Sequence, residues 1–390
     1  MELATETISK QLDDLSTAAA PAQKKKKNKK KTKKTFPRID FISKNDKNDN
    51  DSLFGDSIHH MRNGAIIHKT VRKHIREQLH VGMSYIDVVS TIENKVRELT
   101  NYTPDTYVRG MGFPVGLSIN HIAAHDSPNF NDNRTLQQSD VIKIDIGVQN
   151  HGWIIDSAFT HAFEPVYNPL LQAVKEATMT GVLASGVDVQ LGEIGGQIQE
   201  VMESFELEIK GKMFPIKCVR NLNGHSIAQY KIHGGKTVPI VKSDDATKMV
   251  AGEYYAIETF GTTGRGHVVD DGASSHYSLV DELPTATPKS NRSRQLFQSI
   301  QRHFHTLPFA RRYLMDALVW DSNHSLGIEK QLLNPSGASL GLSLSQLVNE
   351  GFVDQYPPLV DIKGSYVAQF EHTLAIHDNG IEILTRDDDY

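Results

Sequence analysis

Apolar residues along the chain recur with two periods, and the places where the period changes mark out its elements. Ile67, Val71, Ile75 and Leu79 return at the spacing of one helix face, and Gly82 interrupts them. Ser84 with Asp87 is a helix-start signal for a second stripe at Val88, Ile92, Val96 and Leu99. The same order returns further on. Asn168-Pro169 opens a helix through Leu171, Val174 and Val182, Gly186 ends it, and Asp188 opens another through Ile194, Ile198 and Val201. Each helix pair is followed by runs with strand character, at 141–160, 251–261 and 364–376. This faint repeat predicts two related α/β halves.

Between about 277 and 356 the pattern differs. Polar sequence carries helical segments such as SRQLFQSIQRHF and ARRYLMDALVW, which reads as a helical insertion, with a loose polar stretch around 321–340. The host is a catalytic domain spanning 56–390. Residues 1–55 are low-complexity and hold too little apolar surface to offset the entropy of ordering them, which predicts a disordered tail.

Composition changes the picture in two ways. The net charge of −5 conceals a block of nine lysines at 24–34, KKKKNKKKTKK, so the rest of the chain is far more acidic. Such a block is an electrostatic handle for RNA, ribosomes or another polyanion, or a nuclear-import signal; it performs no chemistry. The single cysteine, Cys218, excludes a disulfide within the chain and suits a reducing compartment. With no apolar run long enough for a bilayer, the expectation is a soluble, cytoplasmic protein without membrane contact.

The chemistry lies in misplaced acids. VIKIDIGVQNHGWIIDSAFT (141–160) joins two apolar runs at Asn-His-Gly, each with one aspartate, Asp145 and Asp156. A turn centred on Asn150 and His151 puts the two directly opposite, where like charges repel unless a proton or cation lies between them. A one-residue bulge sending one aspartate to solvent is the alternative, and the hairpin alone does not decide. Glu258 in YYAIETF and Glu371 in VAQFEHTLAI repeat the oddity, and His225 follows Gly224, a residue that permits close backbone approach. A lone strand carboxylate ordinarily faces water. Four such acids, each in its own apolar run, with one imidazole, suit a pair of divalent cations of the Mn, Fe, Co or Zn kind rather than calcium or structural zinc. Two such ions can share a hydroxide and polarise a carbonyl, a hydrolase arrangement.

DIGVQNHGWIID, GHSIAQYKIHGGKTVPI, YAIETFGTTGRG, YPPLVDIKGSYVAQFEHT, RDDDY and GMGFPVGLSINHIAAH (110–125) together resemble the type 2 methionine aminopeptidases, over about residues 58 to 390. The basic N-terminal extension is similar to that of eukaryotic members, which are associated with ribosomes. The resemblance implies a pita-bread fold, two pseudo-symmetric α/β halves around a dinuclear metal site. It also implies a monomeric enzyme that removes the initiator methionine from nascent polypeptide N-termini when the second residue is small. By it, Asp145 chelates one metal, Asp156 and Glu371 bridge both, and His225 and Glu258 complete the ligands of the second metal. Glu258 relays a proton, His125 contacts the substrate near the scissile amide, and His233 binds the carbonyl as it becomes an oxyanion. Phe113, Ile232, His276 and Tyr356 resemble the methionine-pocket lining, and Pro308 occupies a position that lines this pocket in relatives, where a small residue is also found. Residues 313–345 match the family poorly and read as an extended loop. His59, His60, His68 and His74 receive no role, His121 at most supports its neighbours, and Trp153 and Phe260 are assigned to the core.

A proline-specific peptidase of the same fold shares the five ligands, but GMGFPVG, the AAH motif and the insertion favour methionine. A binding protein that has lost its metals is disfavoured by five intact ligand positions.

Overall fold

In the computed structural model, which describes residues 51–104, 107–324, 326–334 and 338–390, the first apolar stripe becomes helix α1, Ser57–Gln78. It buries Val71 and Ile75 completely, each contributing about 1.5–3 kcal/mol of apolar transfer. Helix α2, Tyr85–Thr100, begins where the Ser84 hydroxyl accepts a bond from the Asp87 main-chain N–H, and ends where Asn101 turns left-handed. The chain continues through β1 (Arg109–Met111), β2 (Gly116–Ile119), β3 (Ile122–Ala124), β4 (Val141–Asn150) and β5 (Trp153–Ala162). The second half opens with α3 (Asn168–Ala184), α4 (Leu191–Met202), the hairpin of β6 (Glu206–Ile209) and β7 (Lys212–Pro215), and β8 (Lys217–Cys218). Strands β9 (Asn223–Ile227), β10 (Thr237–Pro239), β11 (Tyr254–Thr262) and β12 (Val269–Asp270) follow. The inserted segment holds β13 (His276–Leu279), α5 (Asn291–His303), β14 (Phe309–Ala310), α6 (Arg311–Asn323), α7 (Ala338–Asn349) and β15 (Val353–Tyr356), and the chain returns through β16 (Leu359–Val360), β17 (Val367–His377) and β18 (Gly380–Ile383).

The two halves expected from the repeat are present. One sheet has β4 bonded to β1, β2 and β5; the other runs β10-β9-β11-β17-β18, with β8 on β11. Helix α1 packs on β4 and β5, and α3 on β11 and β17. Helices therefore cover one face of each sheet, and alternation turns the odd acids to the other face. The inserted segment has an apolar cluster of its own, built on Leu296, Phe309, Leu314 and Leu344. Among the described residues, no helix is long and apolar enough to cross a membrane.

The two halves meet at a seam along β5 and β17. No main-chain ladder joins β5 to β17 among the described residues. Side-chain hydroxyls span the gap instead. Thr373 Oγ1 accepts from Asp156 N at 2.9 Å and donates to Asp156 O at 2.5 Å. Thr160 Oγ1 does the same to Gln369, accepting at 2.8 Å and donating at 2.7 Å. Ser157 Oγ and Tyr390 Oη both donate to the Glu371 carbonyl, at 2.6 and 3.0 Å.

Several expectations change. Asn150 pairs with Trp153, so the turn residues are His151 and Gly152, with φ of 54° and 78°. Two residues with φ > 0 are what a tight two-residue hairpin turn requires. Asp188 opens no helix: it has φ 63°, and α4 starts at Leu191, after a bridge between Gln190 and Lys248. The loop expected at 313–345 is largely helical, since α6 runs to Asn323 and α7 buries Leu340, Leu344 and Leu347. Residues 51–55, counted with the tail, include a 3-10 turn at Asp51–Leu53 and a buried Phe54. The rest of that tail, with the lysine block, lies outside the described residues.

Arg62 fastens the Asp51–Leu53 turn to β18, with its guanidinium on both Asp51 and Glu382 at 2.8–2.9 Å. Burial would raise the Glu382 pKa, but hydrogen bonds with His377 and Arg62 outweigh it and hold the carboxyl at about 2. A carboxylate depressed on folding stabilises above its ordinary pKa of 4.5 and loses that contribution as pH falls towards 2. Glu382→Gln should therefore be less stable than the parent at neutral pH. In denaturant melts the difference should close between about pH 4.5 and 2; a pH-independent difference overturns the assignment.

Candidate metal centre

The acids of the two halves face one another across the seam. Asp145 pairs with Ala158, and Asp156 with Gly147, so the hairpin aspartates are diagonal neighbours rather than directly opposite. The register differs from the expected one by two, which leaves both on the same face. In the other sheet Glu258 and Glu371 are direct cross-strand partners, and His225 sits opposite Ala256, on the Glu258 face. Ligand atoms of Asp156, His225 and Glu371 all lie within 4.8 Å of one another. His225 Nε2 is 3.4 Å from Asp156 Oδ2 and 4.0 Å from Glu258 Oε1.

Two glycines permit these approaches. A Cβ at Gly224 would lie 2.5 Å from the Ala256 carbonyl, so only glycine lets β9 bring His225 this close to β11. A Cβ at Gly147 would fall 2.3 Å from the Phe113 ring, which lies over the strand between the two aspartates.

The electrostatics are those of an uncompensated anionic cluster. Burial and Asp156 push Asp145 well above the carboxylate range, and burial lifts Asp156 to about 7, although the neighbouring Asp145 and Glu371 carboxyls pull it the other way. Glu258 and Glu371 are likewise raised by burial and then by Asp156. Burial lowers His225 to about 4, so at neutral pH it is an uncharged imidazole. Its Nδ1 is 3.2 Å from the Ser226 carbonyl; donating there leaves the Nε2 lone pair facing the acids. Asp145 Oδ1, Asp156 Oδ1 and both Glu371 oxygens are buried without a hydrogen-bond partner. A lone pair aimed at unpartnered carboxylate oxygens is repulsive unless a proton or a cation lies among them. The donor set, oxygen-rich with one nitrogen, fits divalent transition ions.

Gln369 and Lys143 are absent from the candidates drawn from sequence. Gln369 Nε2 donates to Glu258 Oε2 at 3.1 Å and more weakly to Asp145 Oδ2 at 3.4 Å, steadying one acid from each half. Its position two before Glu371 in a strand was the available signal. Lys143, two before Asp145, is fully buried and donates to the Asn120 and Val141 carbonyls at 2.8 and 3.3 Å. Burial takes its pKa well below 10.5.

The acids open into a cavity of about 490 Å³ whose wall includes Asp145, Asp156, His225 and Glu258. Phe113, His125, Ile232, His233, His276, Pro308 and Tyr356 line the same cavity. His233 is exposed, with its ring 4.4 Å from that of His225. His125, at φ 64°, has its ring 5.7 Å from His276 and 6.0 Å from Tyr356. His276 and Tyr356 are cross-strand partners on β13 and β15, so the inserted segment supplies part of the wall. Both His276 nitrogens are engaged, Nδ1 with Ser275 and Nε2 with the Pro114 carbonyl, which leaves its ring to pack rather than to bond a ligand. Phe260, assigned to the core, is 2% exposed yet also borders the cavity, whereas half-buried Trp153 packs on Tyr254. His68, given no role, is fully buried against the Ser157 carbonyl, and His121 is half-buried.

Comparison with known proteins adds two kinds of likeness. The family model for metallopeptidase family M24 matches residues 59–279. Methionine aminopeptidase 2-2 of Chaetomium globosum is 46% identical over 371 residues, covering 92% of this chain and 80% of that one. Methionine aminopeptidase 2 of Clavispora lusitaniae is 48% identical over 329 residues, covering 84% and 71%. Among solved structures, a thermophilic Arx1 superposes with a TM-score of 0.68 at 17% identity, over 86% of this chain and 92% of that one. A methionine aminopeptidase from Thermotoga maritima reaches 0.54 at 17% identity, over 85% and 98%. Both structures share the fold.

Proposed function

The chain belongs to metallopeptidase family M24 as a type 2 methionine aminopeptidase, a hydrolase that uses divalent metal to remove N-terminal methionine, and on that footing we propose how its residues divide the work. The observation that carries the proposal is a cluster of four carboxylates, Asp156 and Glu371 buried and Asp145 and Glu258 half-buried, with one neutral imidazole and oxygens left unpartnered, beside one cavity. Asp145, Asp156, His225, Glu258 and Glu371 would hold two ions of the Co, Mn, Fe or Zn kind, Asp145 serving one, His225 and Glu258 the other, and Asp156 and Glu371 both. When bound, such ions supply Lewis acidity and a water acidic enough to attack at neutral pH. Glu258 accepts the proton of the attacking water. His233 donates to the carbonyl oxygen as it gains charge, and His125 orients the scissile amide. Phe113, Ile232, His276, Tyr356 and Pro308 enclose the methionine side chain, a flexible thioether suited to a mainly apolar pocket. The substrates are nascent N-termini with a small second residue, met in the cytoplasm, and the lysine block at 24–34 supports contact with ribosomes or RNA.

Full-length chain reconstituted with Co²⁺ or Mn²⁺ should release methionine from Met-Gly and Met-Ala peptides, more slowly from Met-Leu peptides, and nothing from Xaa-Pro peptides. Proline-directed release without methionine release would overturn the substrate assignment. Equal rates on Met-Gly and Met-Leu would remove the preference for a small second residue.

A further inference from the structure

The five proposed ligands come from two sheets, so some feature must set how far apart those sheets stand. Strands joined directly by a ladder lie about 4.8 Å apart. β5 and β17, which carry Asp156 and Glu371, have no such ladder among the described residues. A threonine hydroxyl is interposed at each of two points, and the arrangement is reciprocal. Thr373, on β17, closes on the N–H and carbonyl of Asp156; Thr160, on β5, closes on those of Gln369. Each threonine lies four residues beyond the residue that the other one grips. Both are fully or almost fully buried, so water does not compete for these groups.

Residue type matters here. Threonine is stiff at χ1, so its hydroxyl holds one distance rather than a range. Its hydroxyl both donates and accepts, satisfying in one contact two main-chain groups that would otherwise be orphaned in the seam. Alternation places Thr160 on the Asp156 face of β5 and Thr373 on the Glu371 face of β17. Ser157 and Tyr390 add two donors to the carbonyl of Glu371 itself.

We propose that Thr160 and Thr373 are the positioning residues of the metal centre, their hydroxyls fixing the separation between the Asp156 strand and the Glu371 strand. The inference rests on the ligand assignment above and adds to it the part that spaces the ligands. A valine at either position keeps the shape and the stiff rotamer but removes the bridge, so the strands lose their fixed spacing and the bridging carboxylates their common geometry. A serine keeps the bridge.

The test uses the full chain, stripped of metal and titrated calorimetrically with Co²⁺ alone, together with the visible absorption of the bound cobalt. Thr373→Val and Thr160→Val should each bind cobalt about 10–100-fold more weakly, the effect usual for supporting groups around a metal. They should also show an altered cobalt spectrum and a fall in kcat larger than any change in KM, and the serine variants should restore all three. Ser293→Ala, which deletes a buried hydroxyl between α5 and α7, is the stability control and should bind cobalt like the parent. If either valine variant fails to fold, Ser157→Ala carries the test, with a smaller loss of affinity in the same direction. Valine variants that lose stability but keep parental affinity, stoichiometry and spectrum overturn the proposal. A parent chain that binds no cobalt overturns the ligand assignment instead, so the two failures are distinguishable.

Discussion

Asp145→Asn should abolish release of methionine and reduce the number of divalent ions the chain holds. Asp145 is half-buried on the cavity wall, and its Oδ1 is buried without a partner, an oxygen whose desolvation only a cation or proton offsets. The amide keeps the size and removes the negative charge. Replacing supporting groups around a metal typically costs 10–100-fold, so loss of a ligand should exceed about a hundredfold in turnover. Metal content by elemental analysis, beside kcat on a Met-Ala peptide, measures both effects. The same change relieves repulsion among the buried acids, so the metal-free variant should melt no lower than the metal-free parent. Unchanged turnover with unchanged metal content would mean that Asp145 is not a ligand.

His233→Ala should lower kcat by about 10²–10³-fold, the usual cost of removing one donor to a developing oxyanion, while KM moves little. His233 is exposed on the cavity wall, and its ring meets His225 edge-on at 4.4 Å. Truncating an exposed ring leaves the packing of β9 and β11 in place, so cobalt affinity should stay close to that of the parent. That separates it from the ligand variants, which lose metal and activity together. A rise in KM with kcat unchanged would make His233 a binding group only.

How much of this was legible in the sequence differs from element to element. The stripes of α1, α2 and α3 could be read because each buries one face against a sheet, and burial imposes the helical period. The acids of β4, β5, β11 and β17 could be read because a charge in an apolar strand stands out whatever its partner. Asp188 misled because Asp favours helix starts and left-handed turns alike, and its own main-chain N–H is taken by the Met249 carbonyl, a bond made from distant sequence. Residues 338–345 misled because the serines and glycine between the leucines read as loop, whereas Leu340 and Leu344 pack within the inserted cluster. Gln369 could have been found by counting two back from Glu371, but glutamine in a strand raises no alarm. The hydroxyl seam had no signal, since buried threonines are ordinary strand residues.

By itself the sequence determined which side chains would be too costly to bury without a cation, because that cost belongs to the residue and its apolar neighbours along the chain. Its symmetric hairpin, with a bulge as the alternative, also put Asp145 and Asp156 on one face, and the register difference of two changes the partners but preserves that parity. Only the tertiary structure decided that the hairpin turns at His151 and Gly152, that Glu258 stands opposite Glu371, and that threonine hydroxyls rather than a ladder separate the two sheets. Those are distances between segments far apart in the chain. They are set by how helices, sheets and inserted segment pack together, and no local period encodes them.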